Sequence, residues 1–160
     1  MAYGISTILY ATDLGPRGPE VFRHAAGIAR RFEAKVHILT VIEAIGDYAN
    51  VTLDAYVPNE IIEQIRTDGI KRIREDLDSR LAAFDAANPD LASKDVVASV
   101  QILEGNAAEL ILKEAERLKA DLIVLGSHGH SAIGEMLIGS VAHKITVRSD
   151  VPVLLVPINK

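Results

Sequence analysis

The sequence predicts an open, doubly wound parallel sheet with helices on both faces, and three features carry that prediction. Five short apolar runs stand out, at residues 7–11, 36–42, 96–103, 122–125 and 153–156. Most are near-continuous runs of Ile, Val and Leu, the signature of strands buried on both faces of a parallel sheet. Stretches of helical periodicity alternate with them, which implies right-handed crossovers.

The strands differ in kind. The run at 96–103 alternates: Val96, Ala98, Val100 and Ile102 fall on one face, Val97, Ser99, Gln101 and Leu103 on the other. One partly wet face predicts a strand near a sheet edge. The last run, with Pro on either side, is short and wholly apolar, a pairing liability if it lies bare at an edge.

Four helices are expected. Residues 19–33 place Val21, Phe22, Ala25, Ala26, Ala29 and Phe32 on one stripe, and Pro19 suits a first turn, where its missing donor costs nothing. Residues 59–87 carry Ile62, Ile65, Gly69, Ile73, Leu77, Leu81 and Phe84, and Asn88-Pro89 ends the helix. Residues 107–119 carry Ala108, Leu110, Ile111, Ala115 and Leu118; residues 140–148 carry Val141, Ile145 and Val147. The mixed segment 43–58 is long for a connection and is expected to be mobile or functional.

Composition narrows the function. A length of 160 residues suits one domain spanning 1–160, and with no Cys neither a disulfide framework nor a Cys-based zinc site can form. A formal charge of −5 argues against nucleic-acid binding, which needs a basic face. No apolar run is long enough for membrane insertion, and Asp13, Arg17, Arg23 and Arg30 interrupt any signal-type start, so a cytoplasmic location is expected.

In open parallel sheets ligands bind beyond the carboxyl ends of the strands, at the point where strand order reverses. Of the loops in that position, the one running from Gly126 to Ser140 is distinctive, with Gly126, Gly129, Gly134 and Gly139 between a buried strand and a helix. Glycine admits close backbone approach, and a helix beginning at Ser140 offers unpaired N–H groups to an anion such as phosphate. It is not a P-loop, because Glu135 and Met136 stand where Lys and Ser/Thr are required, and no strand is followed by a dinucleotide glycine fingerprint. A Gly-x-Ser-x-Gly elbow is missing, and His128 with His130 supplies too few ligands for a zinc site.

What does fit is Gly126-x2-Gly129-x9-Gly139-Ser140 followed by Val141, together with a first strand ending at Asp13, a second strand with His37 and Val41, and Glu104-Gly105 before the third helix. With the run from Ala120 to Gly129 and the close from Asp150 to Val156, the chain resembles the universal stress protein family in its ATP-binding form, over nearly its whole length. The resemblance implies a five-stranded sheet of order 3-2-1-4-5, a fold like that of the adenine nucleotide alpha hydrolases. It implies a triphosphate on Gly126, Gly129, Gly139, Ser140 and Val141, the nucleoside end at Thr12 and Asp13, and adenine on the backbone of Val41. ATP with Mg or Mn held through its phosphates is the implied ligand; ADP, AMP or cyclic AMP would fit the same residues. It further implies a homodimer through the last strand, Val153–Val156, serving a protein partner such as a transporter or regulator. No catalytic residue is assigned, and at most weak ATP hydrolysis or self-phosphorylation is expected.

Two departures bear on affinity. His130 and Glu135 stand where many members carry basic residues, so the loop has no permanent cation, and a triphosphate would rest on backbone donors, Ser140, Ser131, a divalent metal and protonated His130. Charge-assisted hydrogen bonds of about 1.5–3 kcal/mol each are given up, which predicts weaker ATP binding or a preference for fewer phosphates.

Overall fold

The computed structural model describes residues 2–43, 57–127 and 138–158. Strands β1 (Thr7–Ala11), β2 (Lys35–Ile42), β3 (Val97–Glu104), β4 (Leu122–Gly126) and β5 (Val153–Val156) alternate with helices α1 (Gly18–Phe32), α2 (Asn59–Ala87), α3 (Ser93–Val96), α4 (Ala107–Leu118) and α5 (Ser140–Arg148). The strands form one parallel sheet in the order β3-β2-β1-β4-β5. This is the order the resemblance implies, with β3 at the predicted edge.

Each face of the sheet buries its own cluster. On one, Ile8, Tyr10, Val36 and Ile38 pack under Val21, Phe22 and Ala25 of α1 and Leu77 and Phe84 of α2. On the other, Leu9, Leu39, Ile123 and Leu125 pack under Ala108, Ile111 and Ala115 of α4 and Ala142 and Ile145 of α5. Neighbouring positions of β1 thus serve opposite faces, as strand alternation requires.

The expected stripes hold in part. Phe32 and Val147 are exposed, the latter because two helical residues after Ile145 its side chain points to the opposite side. On α2 only the second half is anchored: Leu77 and Phe84 are buried, whereas Ile65 is exposed. Val96 belongs to the short helix α3 rather than to a strand. That turn is held by the Asp85 carboxylate, which accepts from the Ser93 N–H at 2.6 Å and the Ser93 hydroxyl at 2.8 Å.

A bulge then changes the expected faces of β3. Val36 pairs with Val97 but His37 pairs with Ser99, so Ala98 is an extra residue. Val97 consequently packs on the same cluster as Val100 and Ile102, and away from Leu103.

Candidate functional site

The strand order reverses at β1: from there the chain runs outward to β2 and β3, then returns to β4 on β1's other side. Tyr10 pairs with Val124, so Thr12, just past β1, and Gly126, the last residue of β4, each lie two residues beyond the final pair of these neighbouring strands. The resemblance implies a site at these two loops, and the fold makes them neighbours.

The loop after β1 is built by its own side chains. Thr12 Oγ1 accepts from the Leu14 N–H at 3.0 Å, and Asp13 Oδ1 accepts from the Gly15 N–H at 3.0 Å. These short turns send Leu14 into the left-handed region, with φ at 61°. For a residue with a Cβ that conformation costs about 1–2 kcal/mol, which Leu14 offsets by packing on the α1–α2 cluster. Asp13 itself is exposed.

The same turn frees the end of β2. In a parallel ladder alternate residues address opposite neighbours. Thr12 N–H donates to the Leu39 C=O at 2.9 Å, whereas Gly105 N–H, on the β3 side, donates to the Ile42 C=O at 2.9 Å. Val41 therefore faces β1, as Leu39 does, but lies two residues further along. There β1 has turned away, and the Leu14 N–H that a continued ladder would bring to Val41 bonds Thr12 instead.

The glycine loop is closed at its base. Ser127 N–H donates to the Val156 C=O at 2.9 Å, and Gly139 N–H returns across the loop to the Ser127 C=O at 2.8 Å. Ser127 is buried and its Oγ accepts from the Ile158 N–H at 3.2 Å. Gly139 is the N-cap of α5, with no side-chain cap bond, and Ser140 and Val141 open the helix. Their N–H groups have no partner within the helix, and they stand beside the strand end at Gly126. Gly129 and His130, with Glu135, lie outside the described residues, as does 44–56 of the long segment after β2.

Three site contributors were missed. Ser127 joins the loop's two ends, and adjacency to Gly126 was the available signal. Tyr10 donates its hydroxyl to the Gly18 C=O at 3.1 Å, tying the start of α1 to β1, and burial pushes its pKa up to about 12. Arg80 Nη1 reaches from α2 to the Gly15 C=O at 3.0 Å, a contact no local pattern announces. Tyr10, Thr12, Leu14, Gly18, Leu77 and Arg80 line a cavity of about 30 Å³ behind the loop.

Of the remaining histidines, His24 and His143 are exposed. His37 lies 2.6 Å from Ser99 Oγ through Nδ1, away from the site, and burial with the nearby Arg117 charge lowers its pKa. Among the described residues no helix is long and apolar enough to cross a membrane.

A model of the universal stress protein family matches residues 4–157. Universal stress protein YxiE of Bacillus subtilis (strain 168) is 33% identical over 150 residues, covering 93% of this chain and 97% of the relative. Among solved structures, universal stress protein UspA from Lactobacillus plantarum superposes with a TM-score of 0.75 at 20% identity, covering 97% of this chain and 99% of that one. A universal stress protein in complex with cAMP matches with a TM-score of 0.54 at 22% identity, covering 97% and 98% of the two chains.

Proposed function

Because this chain belongs to the universal stress protein family, we propose that it is a cytoplasmic regulatory protein that binds an adenine nucleotide, ATP foremost, as a homodimer. The observation that supports this best is the meeting of three backbone features at the strand-order reversal: the α5 N-terminus, the loop closed by Gly139 on Ser127, and the half-buried end of β2 at Val41, beyond which β1 has turned away. The N–H groups of Ser140 and Val141 and the Ser140 hydroxyl take phosphate oxygens, with Gly126, Gly129 and Gly139 allowing close approach. His130 adds a positive charge when protonated. Thr12 and Asp13 take the ribose end, and the Val41 backbone pairs with the adenine edge. Mg or Mn accompanies the nucleotide through its phosphates. The cAMP complex of a related protein supports the ligand class.

Asp13 Oδ1 already accepts from Gly15, which suits the carboxylate to hold a hydroxyl rather than to activate water. Binding is the activity, with slow hydrolysis at most, and occupancy is passed to a protein partner such as a transporter or regulator. The dimer forms through β5, which pairs only with β4 among the described residues.

Calorimetric titration with ATP, ADP and AMP tests the reading. Micromolar binding with a shallow dependence on phosphate number is expected; failure to bind any of the three overturns it. Nanomolar ATP affinity with a steep triphosphate preference would overturn the weak-phosphate part alone.

A further inference from the structure

Arg80 sits in the buried half of α2, and its guanidinium is used twice. Nε donates to Asp76 Oδ2 at 2.9 Å, one helical turn earlier, while Nη1 donates to the Gly15 C=O at 3.0 Å, 65 residues away in sequence. The bond to Asp76 orients the planar fork, so the second bond has a fixed direction. At Gly15 the two backbone groups are then both engaged, its N–H by Asp13 Oδ1 and its C=O by Arg80 together with the Gly18 N–H at 3.0 Å.

The surroundings concentrate on one spot. A Cβ on Gly18 would lie 3.7 Å from both Thr12 Oγ1 and the Tyr10 hydroxyl and 3.9 Å from Arg80 Nη1. The polar tips of β1, its loop and α2 therefore gather around the first residue of α1. A turn holding a non-glycine residue at positive φ persists only where its surroundings over-determine it, and Leu14 is such a residue.

We propose that Arg80 is a positioning residue for the nucleoside end of the ligand: by adding a side-chain donor from α2 to the Gly15 C=O that the Gly18 N–H already holds, it ties the Thr12–Gly15 turn to the helix and, through the Gly15 N–H, steadies the direction of the Asp13 carboxylate. The inference rests on the nucleotide reading above and adds a residue to it. It also gives α2 a direct link to the ligand loop, so that movement of the helix and displacement of Asp13 are coupled.

Arg80→Met keeps the aliphatic stem in the cavity wall and removes both donors; Arg80→Lys keeps one. ATP and AMP titrations on wild type, R80M, R80K, D13N and R80M/D13N form a double-mutant cycle. R80M should weaken ATP and AMP by the same factor, about fivefold, the worth of one hydrogen bond. R80K should recover part of the loss, and R80M should cost nothing further in the D13N background. Gly15→Ala gives a check with Arg80 intact, since its Cβ would lie 3.1 Å from Asp13 Oδ1 and push the carboxylate aside; a loss like that of R80M is expected. Wild-type affinity in R80M, or losses that add with D13N, overturns the proposal.

Amide exchange on the nucleotide-free protein separates this from the functional reading. Faster exchange of the Leu14 and Gly15 amides in R80M, with β1 unchanged, is expected whether or not nucleotide binds. Unchanged exchange at those amides overturns the role of Arg80; absence of binding by wild type overturns the proposed function instead.

Discussion

Tyr10 carries a hydroxyl into an otherwise apolar cluster, its ring 5.4 Å from Phe22, which in turn stacks edge-on to Phe84 at 4.7 Å. The hydroxyl is tolerated because it donates to the Gly18 C=O, and burial then raises its pKa from 10.0 to about 12. The linkage has a definite sign. A phenol that ionises later in the folded state contributes its full stabilisation below pH 10.0 and loses it as pH rises toward about 12. Spectrophotometric titration should show a late-ionising tyrosine that disappears in Tyr10→Phe. At neutral pH that variant should lose about 1 kcal/mol in a denaturant melt, because the hydrogen bond from the hydroxyl to the Gly18 carbonyl is gone. The sequence placed Tyr10 within the first strand without hinting at this duty, since its partner lies in the following helix.

α5 shows a sharper division between what pattern reveals and what geometry adds. Its limits at Ser140 and Arg148 follow from the glycine before it and the Asp150-Val151-Pro152 turn after it, and the structure agrees. Gly139, at φ −58° and ψ 152°, has the extended conformation that a following proline demands. Ser140→Pro should therefore keep the helix, since proline is welcome at its first position, while deleting one N–H and one hydroxyl. ATP affinity should fall about tenfold or more with the melting temperature unchanged, measured by calorimetry and thermal denaturation; unchanged affinity would remove the helix terminus from the phosphate site.

α2 was legible in extent but not in depth. The apolar spacing runs its full length, yet a stripe shows only that burial is available, and whether the sheet reaches beneath it depends on where the strands end. Ile65→Lys should change stability by less than about 0.5 kcal/mol, whereas Leu77→Ala should cost about 2–5 kcal/mol, both by chemical denaturation. Equal losses would mean that the first half is covered. The bulge in β3 was hidden for a related reason: one inserted residue leaves composition untouched and changes only which side chains face which helix.

For the molecule as a whole, the apolar runs and the intervening periodicity were enough for a parallel α/β sheet, and the motif resemblance supplied the strand order. That order makes the loops after β1 and β4 neighbours, and the Gly139–Ser127 hydrogen bond brings the start of α5 to the end of β4. Arg80 escaped notice because its bond joins elements 65 residues apart, a separation no periodicity spans. The acidic balance of −5 bears on the proposed function, which assigns phosphate recognition to backbone groups and His130.

The two margins of the sheet are unlike. β5 is short and apolar, and in the proposed dimer Leu155→Lys should yield monomer by light scattering; an unchanged dimer would place the interface elsewhere. β3, at the other margin, is broken by Ala98 and carries Ser99, Gln101 and Glu104. A strand kinked and wetted in this way is a poor template for another chain. In the proposed dimer edge-to-edge growth consequently has a single valence: two molecules joined along β5 would form one ten-stranded sheet whose outer rims are both β3, and the assembly would terminate itself at two.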